Sequence, residues 1–156
     1  MRPWVLLLAL ACGGRGSRRL EGRYDLGDPG AGWVTVQPGG ADRAWRNEAL
    51  AATLYADSSC GERFDDAALP RLHASLTAGV AGAVVREEPR TVDGREALLR
   101  IQDGRLDGVD VRVGVLVLKK DACLYDLVYI APPSSFDKGL PAFEALISAF
   151  KTQVSP

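Results

Sequence analysis

The sequence predicts an α+β domain in which two helices cover an antiparallel sheet of about five to six strands. Valine recurs at every second position over 109–117, which is typical of a strand with one buried face. Asp-Gly pairs, which favour hairpin turns, occur at Asp93-Gly94 and Asp107-Gly108. Two further segments, 69–80 and 140–150, carry apolar residues at helical spacing.

Two short strands are predicted before the first helix. One lies at 32–36, ahead of a Pro-Gly-Gly turn. The other is favoured at 52–57, where Thr53 and Tyr55 suit a pleated sheet, although the composition of 49–56 also fits a helix. Residues 41–48 between them fit neither a helix nor a strand pattern clearly.

The first helix is predicted from four apolar residues at near-helical spacing, which are Leu69, Leu72, Leu76 and Val80. Asp65 and Asp66 are candidates for its N-cap, and Pro70 fits only in its first turn. The last helix is predicted from a second apolar face, formed by Leu140, Phe143, Leu146, Ile147 and Phe150. Pro141 is expected near the start of that helix.

A meander of three or four strands is expected between the helices. Its strand candidates are 83–87, 97–101, 109–117 and 122–130. Turns are expected at Asp93-Gly94, Asp103-Gly104, Asp107-Gly108 and 119–121. A three-residue turn at 119–121 would bring Arg112 beside Asp126 on one face of the sheet, so we expect a cross-strand ion pair. The alternative for Asp126 is a carboxylate that faces solvent.

The first twelve residues have the layout of an export signal. Arg2 precedes a short apolar run over 5–11, and Cys12 follows a small residue. The run is too short for a transmembrane helix, which needs about twenty apolar residues. The segment Ala9-Leu10-Ala11-Cys12 is similar to a bacterial lipobox with the leucine and the small residue in reverse order. This resemblance implies cleavage before Cys12 and lipidation of its thiol, while ordinary secretion and no processing are the alternatives.

The chain is accordingly divided into three parts. Residues 1–11 are predicted to be a signal peptide, 12–31 a lipid-anchored tether with a connecting loop, and 32–156 a single α+β domain. The first part of the tether is rich in Gly and Arg and has no apolar periodicity. Gly13 stands where an Asp would resemble an inner-membrane retention signal, so an outer membrane facing the periplasm is favoured.

Cys60 and Cys123 remain when Cys12 is assigned to the lipid. In an exported domain two such cysteines most simply form a disulfide, and two separate buried thiols are the alternative. We expect no metal site, because these cysteines and His73 lack the close ligand spacing of zinc sites.

Composition and motifs argue against several classes of function. The formal net charge of −1 does not suit nucleic acid, whose binding depends on basic contacts to phosphate. We expect no cofactor, because the glycine-rich segments lack the spacing of a nucleotide-binding loop. No catalytic residue is expected either. His73 is read as a boundary residue, and helix capping explains the acids within 61–66.

Four aromatic residues are candidates for an interaction surface, which are Trp33, Trp45, Tyr125 and Tyr129. Burial in the core is the alternative. The two tyrosines share the strand face opposite Asp126, so they would be exposed if no helix covered that face.

The order of elements is similar to that of PsbP-like α/β/α domains over roughly 32–151. Several phrases also resemble a group of uncharacterised bacterial lipoproteins, namely Ser58-Ser59-Cys60, Gly94-Arg95-Glu96-Ala97-Leu98, Arg105-Leu106-Asp107-Gly108-Val109, Cys123-Leu124-Tyr125-Asp126 and the helix at 143–150. PsbP-like proteins are mostly assembly or interaction factors. The resemblance therefore implies an envelope location and a binding role, with no catalytic assignment.

The sequence thus predicts a non-catalytic, lipid-anchored envelope protein that works as an interaction or assembly factor. Its expected partners are the membrane and an unidentified protein. A carrier of small molecules or lipids is the second hypothesis, which an apolar cavity of about 300 Å³ or more would support. A small hydrolase is the third, and it would need a nucleophile within hydrogen-bond reach of a base.

Overall fold

The structure, a computed structural model, describes residues 22–61 and 67–153. In chain order its elements are β1 (Tyr24–Asp25), β2 (Val34–Val36), β3 (Arg43–Asn47), β4 (Ala52–Cys60), α1 (Leu69–Leu76), β5 (Ala81–Val92), β6 (Arg95–Leu106), β7 (Val109–Lys120), β8 (Cys123–Ala131), α2 (Pro133–Ala149) and β9 (Lys151–Thr152).

Seven strands form one antiparallel sheet in the order β2-β3-β4-β8-β7-β6-β5. The α+β class with an antiparallel sheet and two covering helices is confirmed. The described sheet has more strands than predicted because the ambiguous segment 41–48 contains β3, which pairs with both β2 and β4. The separate pair of β1 and β9 joins the two ends of the described chain.

The helices cover opposite faces of the sheet, so the domain has three layers. On the α2 face, Phe136 and Phe143 belong to a buried cluster with Leu116 from β7. On the α1 face, Leu69 and Leu72 pack against a second cluster that contains the alternate valines of β7. The alternation seen in the sequence therefore records a strand that is buried on both faces.

Both helices differ in extent from the sequence prediction. The N-cap of α1 is Ala68, which makes no side-chain capping hydrogen bond, and the helix ends at Leu76, before Val80. Asp65 and Asp66 lie outside the described residues and do not hold the N-cap position. Helix α2 begins at Pro133, and a proline fits there because the first turn of a helix uses no backbone N–H donor. Pro141 therefore lies inside the helix and not near its start.

Two turn predictions are wrong. Strand β6 continues through Asp103-Gly104, because Gly104 pairs with Gly82 across the sheet. The strands approach so closely there that a Cβ at Gly82 would collide with the backbone of β6. The turn between β7 and β8 consists of Asp121-Ala122, with φ values of 52° and 58°, and not of 119–121.

The predicted pair between Arg112 and Asp126 is also wrong. The turn predicted at 119–121 would place Arg112 opposite residue 128, but Arg112 lies opposite Ala131, and this odd shift puts Arg112 and Asp126 on different faces of the sheet. Arg112 lies on the α2 face and donates to both carboxylate oxygens of Asp103, at 2.6 and 2.9 Å. Asp126 is buried on the α1 face, directly opposite Asp57 in the register, so it does not face solvent either.

The folded region begins earlier than residue 32. Tyr24 of β1 is buried and stacks on Phe150 with ring centroids 5.5 Å apart. It also pairs with Thr152 of β9. The part of the predicted tether from residue 22 onward is therefore built into the domain.

Candidate functional site

Cys60 and Cys123 face each other at the ends of β4 and β8 and form a disulfide, with Cα atoms 3.9 Å apart. The predicted disulfide is therefore present in the structure. The turns Asp93-Gly94 and Asp121-Ala122 lie at the same end of the sheet. We call this region, with the disulfide and both turns, the disulfide end.

The Asp93 carboxylate links the disulfide end to the C-terminal strand. Its Oδ2 accepts from Lys120 Nζ at 2.7 Å, from the Thr152 amide at 2.9 Å and from the Thr152 hydroxyl at 2.7 Å. Lys151 Nζ lies 3.2 Å from Oδ1. The Lys120 ammonium, together with the donors of Thr152, holds the pKa of Asp93 well below its usual range. The carboxylate therefore stays charged and fixes β9 in place.

The chain also enters the fold at the disulfide end. The Gly22 amide donates to Ser58 Oγ at 2.8 Å, and Ser58 Oγ donates to Asp42 Oδ2 at 2.6 Å. The Tyr24 hydroxyl donates to the same Asp42 oxygen at 2.9 Å. Burial, then the bond to Asp42, raises the pKa of Tyr24 well above its usual range. This network fixes Gly22 and Tyr24, near the start of the described residues.

A pocket of about 490 Å³ opens at the disulfide end, between the start of α1 and the β5–β6 turn; its lining residues include Ala68, Leu69, Pro70, Gly94, Arg95, Glu96 and Lys119. Lys119 Nζ donates to the Ala67 carbonyl at 2.7 Å. Arg95 Nε donates to the Lys119 carbonyl at 3.4 Å. Among the described residues that line the pocket, Arg95, Glu96 and Lys119 are charged, which does not match the apolar cavity that the carrier hypothesis requires.

His73 occupies a different position from the one predicted. It is only 1% exposed and faces the sheet from α1, so it is not a boundary residue. Burial, and next the positive charge of Arg100, lowers its pKa to about 4. Arg100 itself pairs with Glu87 and donates to the Pro70 carbonyl at 3.3 Å. His73 is a core residue, and its lowered pKa favours the neutral ring.

The proposed aromatic interaction surface is not formed by Trp45, Tyr125 and Tyr129, because α2 covers the face on which they lie and all three are buried. Tyr129 donates its hydroxyl to the Phe136 carbonyl at 2.9 Å. Trp33 is half-buried and packs edge-on against Tyr129, with centroids 6.2 Å apart. Core packing is therefore the role of this group.

Some sequence-based candidates lie outside the described residues, namely Cys12 and the acids at 62–66.

The sequence did not predict the pocket at the disulfide end. Arg95 and Glu96 come from one side of a predicted hairpin and Lys119 from the next strand, and only the register brings them together. The sequence predicted the Asp93-Gly94 turn. It did not predict β9, the strand to which Asp93 is bound, because two residues are too few to show a strand pattern.

Comparison with known proteins identifies the fold. No protein-family model matches this chain, and no curated protein matches it in sequence. Among solved structures, LpqN, involved in cell envelope biogenesis of Mycobacterium tuberculosis, is similar with a TM-score of 0.63 and 13% identity, over 90% of this chain and 88% of that chain. Cyanobacterial PsbP (CyanoP) from Synechocystis sp. PCC 6803 is similar with a TM-score of 0.56 and 16% identity, over 92% and 98% of the two chains. The fold is PsbP-like.

A third similar structure belongs to PA94 from Pseudomonas aeruginosa, a protein of unknown function, with a TM-score of 0.56 and 12% identity over 89% of each chain. The PsbP-like fold thus occurs in several proteins of very different sequence. None of the helices in 22–61 and 67–153 is long and apolar enough to cross a bilayer.

Proposed function

We propose that this chain is a lipid-anchored protein of the bacterial envelope that acts by binding and assembly, and not by catalysis. The observation that carries the proposal is the disulfide between Cys60 and Cys123, at the end of the sheet where Gly22 is bound to Ser58. Disulfides form and persist in exported proteins. An export signal with a cysteine at its end provides the route to that compartment.

The PsbP-like fold supports this proposal. LpqN is involved in cell envelope biogenesis, and CyanoP shares the same arrangement of sheet and helices. The position of His73 supports a non-catalytic role, because the only histidine of the chain is buried between α1 and the sheet. The outer membrane, facing the periplasm, is the proposed location.

Lipidation of Cys12 can be tested by intact-mass analysis and fatty-acid labelling of the chain expressed in a bacterium. We expect a mature chain that starts at Cys12, carries the mass of a diacylglyceryl group and sediments with membranes. C12S should lose the label and appear in the soluble fraction, whereas the matched cysteine variant C60S/C123S should keep the label. An unlabelled, full-length wild-type chain would contradict the proposal.

The binding role can be tested separately by photo-crosslinking in cells. A crosslinker placed at Glu96, at the disulfide end, should give a discrete adduct, and one at Asp110, at the opposite end, should serve as the comparison. Equal, diffuse crosslinking from both positions would argue against a defined binding surface at the disulfide end.

A further inference from the structure

We propose that the pocket at the disulfide end binds a phospholipid headgroup that carries both a phosphate and a primary amine, as phosphatidylethanolamine does. The inference rests on the proposed function for one point, which is that the anchor keeps this end of the domain beside a membrane. The lipid in the pocket would be a second contact with the membrane, separate from the lipid on Cys12.

The charges of the pocket match such a headgroup. Arg95 provides a cation and Glu96 a carboxylate, while the Lys119 ammonium is bound to the Ala67 carbonyl and adds positive charge beside them. Arginine and lysine are the side chains that bind phosphate, arginine through several N–H donors in a fixed plane. A carboxylate accepts hydrogen bonds from a primary ammonium. A ligand with both a phosphate and an ammonium would therefore meet a group of opposite charge for each, namely Arg95 for the phosphate and Glu96 for the ammonium.

The backbone holds these side chains close together. Leu118 pairs with Ala97, so Lys119 and Glu96, the next residues outward, lie opposite each other on the α1 face. The bonds from Lys119 Nζ to the Ala67 carbonyl and from Arg95 Nε to the Lys119 carbonyl join the sheet to the start of α1. The charged groups are thus positioned before any ligand arrives, which reduces the entropy lost on binding.

The opposite wall and the volume of the pocket also suit a lipid. Ala68, Leu69 and Pro70 line that wall and offer apolar surface to the glycerol and the first acyl carbons. The volume of about 490 Å³ lies within the range of small-molecule sites. A free phosphate would leave most of this space and the apolar wall unused.

The attachment of the chain places the pocket near a membrane. Gly22 is bound to Ser58, and Ser58 pairs with Tyr125, two positions before the disulfide. Residues 13–21 separate Cys12 from Gly22, and nine residues extend at most about 30 Å. A lipid on Cys12 therefore keeps the disulfide end within reach of the headgroup layer.

The test uses the full chain with C12S, so that no attached lipid contributes to binding, and vesicles of two compositions. We expect at least a fivefold higher affinity for vesicles of phosphatidylethanolamine mixed with phosphatidylcholine than for vesicles of phosphatidylcholine alone. The quaternary ammonium of choline has no N–H to donate to Glu96. Soluble O-phosphoethanolamine should compete, and inorganic phosphate at the same concentration should compete less.

Two pocket variants and one control complete the test. R95Q and E96Q should each lower the affinity for the mixed vesicles at least fivefold, while R105Q, which removes an exposed arginine at the opposite end, should leave it unchanged. Unfolding midpoints equal to that of the parent would show that the variants are folded. Equal binding to both vesicle types, or equal binding by R95Q, E96Q and R105Q, would overturn the proposal.

The outcomes separate this proposal from the proposed function. If the wild-type chain is lipidated but C12S shows no preference for phosphatidylethanolamine, the proposed headgroup site is wrong and the anchored binding role still stands. A wild-type chain without lipid would overturn the anchoring, whatever C12S does with vesicles.

Discussion

At the scale of single residues, His73 shows how a short helix can place a titratable group inside the core. The side chain is buried where α1 packs on β6 and β7, with Arg100 nearby and Glu87 paired to Arg100. Atom Nε2 has no hydrogen-bond partner among the described residues. A protonated ring would bring an uncompensated charge into this region, so the folded state favours neutral histidine.

His73 should therefore make stability depend on mildly acidic pH. Its pKa is about 4 in the folded state and 6.5 in a free chain, so the unfolded state binds the proton first. The stability is complete above pH 6.5 and falls as the pH decreases toward 4, by roughly 2 to 3 kcal/mol at pH 4.5. Urea unfolding at pH 7 and 4.5 should show this loss in the wild type and a clearly smaller loss in H73L.

The exposed neighbour S75A is the control for that measurement and should keep the wild-type pH dependence. Asp93 contributes little in this window, because its carboxyl in the unfolded chain protonates only near the ordinary pKa of 3.8, and the stability from its lowered pKa is lost mainly below that pH. The same pH dependence in H73L and in the wild type would show that His73 is not responsible.

At the scale of elements, the turn between β7 and β8 determines which residues meet across the sheet. A two-residue turn with both φ values positive matches the twist of a hairpin, but Ala122 adopts this conformation at a steric cost. Alanine does not indicate a positive φ, and for this reason the turn could not be located from the sequence. Because of this turn, Arg112 lies opposite Ala131 and not beside Asp126. Its contact with Asp103 is set by the register of β6 and β7.

Replacing Ala122 by glycine should stabilise the domain by about 1 kcal/mol, because glycine adopts a positive φ without the Cβ clash. Chemical denaturation of A122G would measure the gain. The matched substitution A145G, at an exposed position within α2, should instead destabilise by about 1 kcal/mol through lower helix propensity. A loss of stability in A122G would contradict the assigned turn geometry.

Elements with strong periodic signals were predictable, and elements that depend on distant partners were not. The valines of β7 reveal a strand by themselves. In contrast, β3 becomes a strand because β2 and β4 flank it, and β6 continues through Asp103-Gly104 because Gly82 lies opposite. The pocket needs the register of two strands and the position of α1, so no local pattern could show it.

At the scale of the whole molecule, the disulfide joins two strands in the middle of the sheet and closes a long segment of chain. Cys60 and Cys123 are 63 positions apart, and the loop between them contains α1 and three strands of the sheet. Closing such a loop restricts the unfolded chain more than the folded one.

Removal of the disulfide should lower the free energy of unfolding by about 4 kcal/mol, as the chain-entropy argument gives for a loop of this size. Urea unfolding of C60A/C123A would measure the loss, and the wild type under reducing conditions should approach the same value. A difference below about 1 kcal/mol would show that the remaining contacts hold β4 and β8 together without the bond.

The pairing of β1 with β9 makes the backbone nearly a closed ring, because Tyr24 lies beside Thr152 and the Gln153 amide donates to the Arg23 carbonyl at 2.9 Å. A short linker could join these ends, and new termini could be opened at the exposed Asp107-Gly108 turn. Such a circular permutant would keep the same packed layers, but its termini would lie at the end of the sheet opposite the disulfide end. An N-terminal anchor added to the permutant would then turn the opposite end of the domain toward a membrane.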